Sequence, residues 1–317
     1  MAQPETLHPD LWLIRYLPCI PLHIPIVRKS LRSIGSLNAA RKASSTLGGE
    51  DLVIQSKPDA QGKTHPINLF ISRPAQHDGP LPVILWIHGG GMVIGSHKEN
   101  HKFMNHCSTE LGALVVSPDY RLAPDHPAPA AQEDCFAAWQ WIIENAQKWN
   151  LDLDRLVVGG VSAGGGVAAA IAQRVYDHGG PQPKLQVLIY PMLDDRTAAK
   201  PRPKTPHYVW TYDNNIFGWT SYLNASPGSP DVPRYAVPAR REDLSGLAPA
   251  WIGCGTMDLF YEEDMEYARR LEEAGVGAET YLVPRACHGF EVFCPSSDLT
   301  IKFVENYMAA IRRAWKM

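Results

Sequence analysis

The stretch Arg155-Leu156-Val157-Val158-Gly159-Gly160-Val161-Ser162-Ala163-Gly164-Gly165-Gly166-Val167-Ala168-Ala169-Ala170 decides the fold of this chain. Arg155–Gly159 is a short apolar run suited to a strand buried on both faces of a sheet, and the alanine-rich run Ser162–Tyr176 predicts a helix. Gly160-Val161-Ser162-Ala163-Gly164 stands between them, so strand must give way to helix within a few residues. Such a turn is sharp and strained, and its glycines are required because a side chain would strike the neighbouring backbone. It pushes Ser162 out at the carboxyl edge of the sheet, near the positive end of the following helix. G-x-S-x-G alone occurs in many glycine-rich loops; the place between strand and helix marks Ser162 as a candidate nucleophile.

The alternation extends outward in both directions. Upstream, Pro82–His88 and Ala113–Ser117 are continuous apolar runs, and Ala130–Asn145 carries Phe136, Trp139, Ile142 and Ile143 on one helical stripe. Downstream, Lys184–Tyr190, Ala250–Cys254 and Ala278–Val283 read as strands, while Glu262–Ala274, ended by Gly275, and Ser297–Trp315 read as helices. Strand and helix in turn predict an α/β fold with a mostly parallel central sheet flanked by helices. Asp51–Ser56 and Pro66–Arg73 alternate apolar with polar residues, as in an antiparallel hairpin, with Pro58, Asp59 and Gly62 between them.

The pattern lapses over Asp194–Pro238, where prolines 201, 203, 206, 227, 230 and 233 surround one helix near Asp213–Leu223. We read residues 1–50 as an N-terminal cap segment, 51–193 with 239–317 as the catalytic domain, and 194–238 as a cap insertion. Asp194 and Asp195 read as the turn into that cap. Tyr208, Trp210, Phe217 and Trp219 are its candidate pocket aromatics, although a cap also needs a core of its own.

A chain of 317 residues with 45% hydrophobic residues can bury a large core, and a formal charge of −3 offers no basic field for nucleic acid. Six scattered cysteines lack a metal-ligand spacing and read as reduced thiols in a cytoplasmic protein. Met1–Asp10 lacks the pattern of a secretory signal, and Arg15, Pro18, Pro21, His23 and Pro25 interrupt the apolar run Leu11–Val27, so no membrane span is expected.

His88-Gly89-Gly90-Gly91 follows a buried strand, and successive glycine amides can point at one developing anion. No Walker lysine accompanies this loop, so an oxyanion hole from Gly90, Gly91 and Ala163 fits better than a phosphate site. A serine needs a base in reach and a third group to set the base's tautomer. His288 is the only histidine after His207, and Asp258 follows the preceding strand directly. Glu262, Glu263 and Asp264 compete with Asp258, but they fall in the first turns of a helix, where carboxylates commonly serve as helix charges. Arg121, with Asp134 nearby, suggests a structural ion pair.

Together, His88 to Gly91, Asp119 to Pro124, His126 to Ala130, Ser162 to Gly165, Tyr190-Pro191 and His288-Gly289-Phe290 resemble, in order, the hormone-sensitive-lipase-like family of α/β-hydrolases, from Asp51 to the C-terminus. The resemblance implies a serine, aspartate and histidine triad at Ser162, Asp258 and His288, and a hole at Gly90, Gly91 and Ala163. Val161 stands where most members carry Asp, Glu or Thr, and Gly166 where many carry Asn. The implied reaction is hydrolysis of a small-molecule carboxylic ester of small to medium acyl length through an acyl-enzyme, with no metal or organic cofactor called for. Amide or lactone hydrolysis and a pathway-specific hydrolase or transacylase are alternatives, as is a non-catalytic receptor on the same scaffold, which the presence of His288 opposes. A homodimer is compatible with the sequence.

Overall fold

The computed structural model describes residues 6–44, 49–58 and 62–317. In chain order, a 3-10 helix at Pro9–Tyr16 precedes helix α1 (Pro25–Ser44), then β1 (Gly49–Gln55), β2 (Pro66–Ser72), β3 (Leu81–Ile87), α2 (His101–Leu111), β4 (Leu114–Pro118), α3 (Ala130–Glu144) and α4 (Ala146–Trp149). They are followed by β5 (Leu151–Val161), α5 (Ala163–His178), β6 (Leu185–Ile189), α6 (Tyr212–Leu223), β7 (Ala250–Gly255), α7 (Tyr261–Glu273), β8 (Ala278–Val283), α8 (Phe290–Phe293) and α9 (Asp298–Trp315).

The eight strands form one sheet in the order β1-β2-β4-β3-β5-β6-β7-β8. β1 pairs antiparallel with β2, and β2 with β4, whereas every pairing from β4 through β8 is parallel. The expected hairpin and parallel sheet are both present; Asp59 in the hairpin turn lies outside the described residues. β3 is buried along its whole length, and its alternation divides the core in two. Val83, Leu85 and Ile87 pack with α3, α5 and α7, while Ile84 and Trp86 pack with Met104, Cys107 and Leu111 of α2 and with Phe303, Tyr307 and Ile311 of α9. Helices therefore cover both faces, which explains the continuous apolar runs in the central strands.

Besides the four-residue α4 and α8, two longer helices escaped the sequence reading. In α2 the buried Met104, Cys107, Ser108 and Leu111 recur at helical spacing, and Gly112 ends the helix in the left-handed region at φ 59°; polar residues between them hid the stripe. α1 begins at Pro25, a residue suited to a first helical turn because its missing amide has no partner there. Arg32 of α1 holds the helix against the body: its guanidinium donates to the carbonyls of Val93 (2.8 Å) and Ala123 (2.5 Å) and to the Asp125 carboxylate (2.5 Å). Among the described residues no helix is long and apolar enough to cross a membrane.

Residues 194–238 contain a 3-10 turn at Asp195–Ala199 and α6, whose N-terminus is capped by the Thr211 hydroxyl accepting from the Asn214 amide (3.3 Å). Asp195 is fully buried, accepts from Arg240 at 2.7 and 2.9 Å and also accepts from the Gly228 amide at 2.6 Å. Arg240 in turn donates to the Ser229 carbonyl (2.5 Å), so one ion pair joins both ends of the segment. Removing one member of a buried pair strands the other charge, at a cost of about 3–5 kcal/mol. Arg240→Met should therefore lower denaturant stability by that order and speed proteolysis within residues 194–238; a loss below about 1 kcal/mol would show that Asp195 finds another partner.

Candidate active site

Ser162 follows β5 directly, at φ 57° and ψ −121°, a backbone conformation that side chains rarely adopt. Hydrogen bonds on both sides hold it: its amide donates to the Ile189 carbonyl (2.8 Å), and its carbonyl accepts from Met192 (3.0 Å) and Gly166 (3.1 Å). A Cβ on Gly164 would lie 2.1 Å from the Ile87 carbonyl oxygen, so α5 crosses β3 this closely only with glycine there. The same contact logic accounts for Gly166, where a Cβ would sit 2.0 Å from the Met192 carbonyl oxygen. Val161 is a half-buried hydrophobic residue packed against the α2/α9 side of the core, which supplies no hydrogen bond to the turn.

The loops after β7 and β8 carry the other two residues, and backbone hydrogen bonds lace them together. Thr256 donates to Val283 (3.0 Å), Met257 donates to Ala286 (2.9 Å), and the Arg285 amide donates to the Thr256 hydroxyl (2.8 Å). This lacing brings Asp258 and His288 together with Ser162. Asp258 Oδ2 accepts from His288 Nδ1 at 2.8 Å, and its Oδ1 accepts from the Phe260 amide at 3.0 Å. His288 Nε2 lies 2.9 Å from Ser162 Oγ. All three side chains are buried. With Nδ1–H donating its hydrogen bond to the Asp258 carboxylate, Nε2 is left as the acceptor facing the serine hydroxyl.

Gly90 and Gly91 sit in a turn closed by Val93 and Ile94 donating to the Gly90 carbonyl (both 3.0 Å). Among the described residues their own amides have no intramolecular acceptor. The turn is anchored from below: the buried ring of Tyr120 stacks on His88 at 4.2 Å, and its hydroxyl donates to the His88 carbonyl (3.0 Å). Burial pushes the His88 imidazole down to about 4, so it stays neutral. Arg121 pairs with the fully buried Asp134 (2.8 Å), as the sequence suggested.

The four candidate pocket aromatics separate. Trp210 touches the site: a Cβ on Gly91 would lie 1.9 Å from its ring, whose centroid is 6.4 Å from that of His288. Tyr208 and Phe217 are half-buried, with the Arg28 guanidinium over the Phe217 ring at 5.3 Å. Trp219 is fully buried and packs in the core, with no surface left for a substrate, because α6 turns it inward. A cavity of about 630 Å³ is bounded by Asp258, Thr256, His207 and the segment from Thr197 to Thr205; neither Ser162 nor His288 lines it.

This chain belongs to the α/β-hydrolase fold family. The family's profile matches residues 84–292, spanning the elbow formed by the strand-to-helix turn at Ser162, both loops and the Gly90 turn. The chain is 32% identical to esterase LipI of Mycobacterium tuberculosis over 287 residues, 88% of this chain and 86% of that one. It is 33% identical to an ethyl acetate hydrolase of Pseudomonas putida over 72% of each chain. Among solved structures, a bacterial heroin esterase superposes with a TM-score of 0.87 at 31% identity, covering 98% of both chains, and esterase LipW of Mycobacterium marinum with 0.84 at 30%, covering 98% and 96%. The resemblance to hormone-sensitive-lipase-like hydrolases is thus borne out.

In this α/β-hydrolase the carboxylates after Asp258 are not simple helix charges. Glu262 is exposed, but Glu263 and Asp264 are buried, because α7 turns them inward toward the protein. Glu263 accepts from the amides of Leu193 (2.8 Å) and Asp194 (3.1 Å). Burial pushes its carboxyl up to about 8, against hydrogen bonds to Thr197, Leu193 and Asp194 that pull it down. Between the unfolded value near 4.5 and about 8 the folded chain holds a proton that the unfolded chain releases, so this residue's contribution falls as pH rises through that window. Measured against Glu263→Gln, the thermal midpoint of the native chain should fall from about pH 5 to about pH 8; parallel curves for the two proteins would refute the assignment.

Proposed function

We propose that Ser162, His288 and Asp258 form the catalytic triad of a serine hydrolase that cleaves carboxylic esters of small to medium acyl length. The observation that carries this reading is the unbroken chain from Ser162 Oγ to His288 Nε2 (2.9 Å) and from His288 Nδ1 to Asp258 Oδ2 (2.8 Å). As Ser162 attacks the ester carbonyl, its proton passes to Nε2 while Asp258 fixes the tautomer and favours the imidazolium. The tetrahedral oxyanion is received by the amides of Gly90, Gly91 and Ala163, the last at the positive end of α5. Collapse expels the alcohol, which takes the proton from His288; a water activated by the same nitrogen then hydrolyses the acyl-enzyme.

We assign residues 51–193 with 239–317 to the catalytic domain and residues 1–50 with 194–238 to a cap that sets substrate size. Trp210, seated between the Gly91 turn and His288, supports the assignment, as does Arg28, which bridges the N-terminal segment to Phe217. Six unpaired cysteines fit a cytoplasmic location, and the open edge of β8 fits a homodimer.

Ser162→Ala should keep the fold and abolish turnover of an aryl acetate, a loss on the order of a million-fold, and a fluorophosphonate should label Ser162 stoichiometrically. More than a few per cent of activity remaining in pure protein would sink the triad. For the cap, Trp210→Ala and Phe217→Ala should shift the preferred acyl length by tens of fold, since a hydrophobic pocket discriminates by about 1–3 kcal/mol per methylene. Acetyl ester turnover should persist in both; its complete loss in folded protein would place a catalytic group in the cap.

A further inference from the structure

Tyr190 and Glu291 form a second polar pair on the flank of His288, which the proton transfers above do not use. Tyr190 follows β6, at φ 32°, with its amide donating to the Gly253 carbonyl of β7 (2.7 Å), so it is pinned beside the elbow. Its buried ring lies against the imidazole of His288, with centroids 4.5 Å apart and planes tilted by 58°. The Tyr190 hydroxyl donates to Oε1 of Glu291, in the first turn of α8. Oε2 of Glu291 is buried and has no hydrogen-bond partner among the described residues. The titratable groups facing this carboxyl are Tyr190, Asp258, His288, Cys287 and Tyr307. No lysine or arginine pairs with it among the described residues, so the one neighbour able to carry positive charge is His288.

We propose that Glu291 is a positioning residue: held by the Tyr190 hydroxyl, it is a second anion beside His288 that favours the imidazolium formed as Ser162 loses its proton. The inference rests on the triad proposed above. Asp258 acts in line with Nδ1, whereas Glu291 acts through its charge and through the ring of Tyr190. Burial raises the affinity of Glu291 for a proton, and the hydrogen bond from Tyr190 opposes it; the tyrosine, held well above its usual range by burial, remains a donor. An anion at such a site is costly unless a cation forms next to it. That condition is met in the transition state and not in the resting enzyme, so the interaction belongs to the rate and not to substrate binding.

Glu291→Gln keeps the shape and an acceptor for Tyr190 while removing the charge. For an aryl acetate we expect KM unchanged, kcat lowered about tenfold, and the acid limb of kcat/KM displaced down by about one pH unit, since a unit corresponds to a tenfold change in proton affinity. Glu291→Asp, which restores the charge, should return the limb most of the way to its wild-type position. A wild-type limb and kcat in Glu291→Gln would overturn the inference, as would equal displacements in the two variants, which would mark a purely structural role. Should Glu291→Gln fail to fold, Tyr190→Phe carries the test: kcat should drop at constant KM, and an unchanged kcat overturns the inference. Fluorophosphonate labelling of Ser162 in the same preparations separates the two failures. Labelled, fully active Glu291→Gln defeats this inference alone, whereas an active Ser162→Ala defeats the triad beneath it.

Discussion

Ser162 is held at φ 57° and ψ −121°, and much of the architecture serves to keep it there. A non-glycine residue in such a conformation costs on the order of 1–3 kcal/mol and persists only where its surroundings over-determine it. Here β6 accepts the Ser162 amide, the chain after β6 donates to its carbonyl, and α5 approaches the end of β3 so closely that glycine is needed at 164. The conformation lifts the side chain out of the ladder and toward the loops after β7 and β8. A relaxed serine would continue the strand and point into the core.

Parallel pairing does the remaining work of assembly. Because β5 through β8 run the same way, their carboxyl ends lie along one edge, and the loops that leave them meet there. Hydrogen bonds from Thr256 and Met257 to the β8 side fix the Asp258 loop against the His288 loop, so the distance between them is set by backbone and not by two flexible side chains. Buried side-chain links tie the 194–238 segment to this frame, among them the Asp195–Arg240 pair and the Glu263 carboxyl under Leu193 and Asp194. Glu263 belongs to α7, which begins three residues after Asp258, so the tie to Leu193 and Asp194 and the Asp258 loop share one short piece of chain.

Much of this was legible in the sequence because the signals are local. Continuous apolar runs identify strands buried on two faces, and the glycines around Ser162 announce a close crossing before any neighbour is known. α2 was missed although its buried residues recur correctly and Gly112 ends it, because polar residues fill the intervals and no side-chain cap marks its start. Trp219 and Phe217 are two residues apart on one helix, and nothing local says that one fills the core while the other lies half-buried under Arg28. Glu263 and Asp264 carry the composition of a solvated helix start, yet the helix turns them inward.

By itself, then, the chain marked its strands and the strand-to-helix turn that carries Ser162, since each of these signals is local in sequence. The pairing of His288 with Ser162 on one side and Asp258 on the other, each to within 3 Å, was decided by tertiary structure, through the order and direction of strands far apart in sequence. So was the Tyr190–Glu291 contact beside the imidazole, which joins the end of β6 to the turn after His288. Burial decided the rest: a carboxyl group's charge depends on what surrounds it, and no sequence pattern reports whether the space around Glu263 or Glu291 is filled by water or by protein.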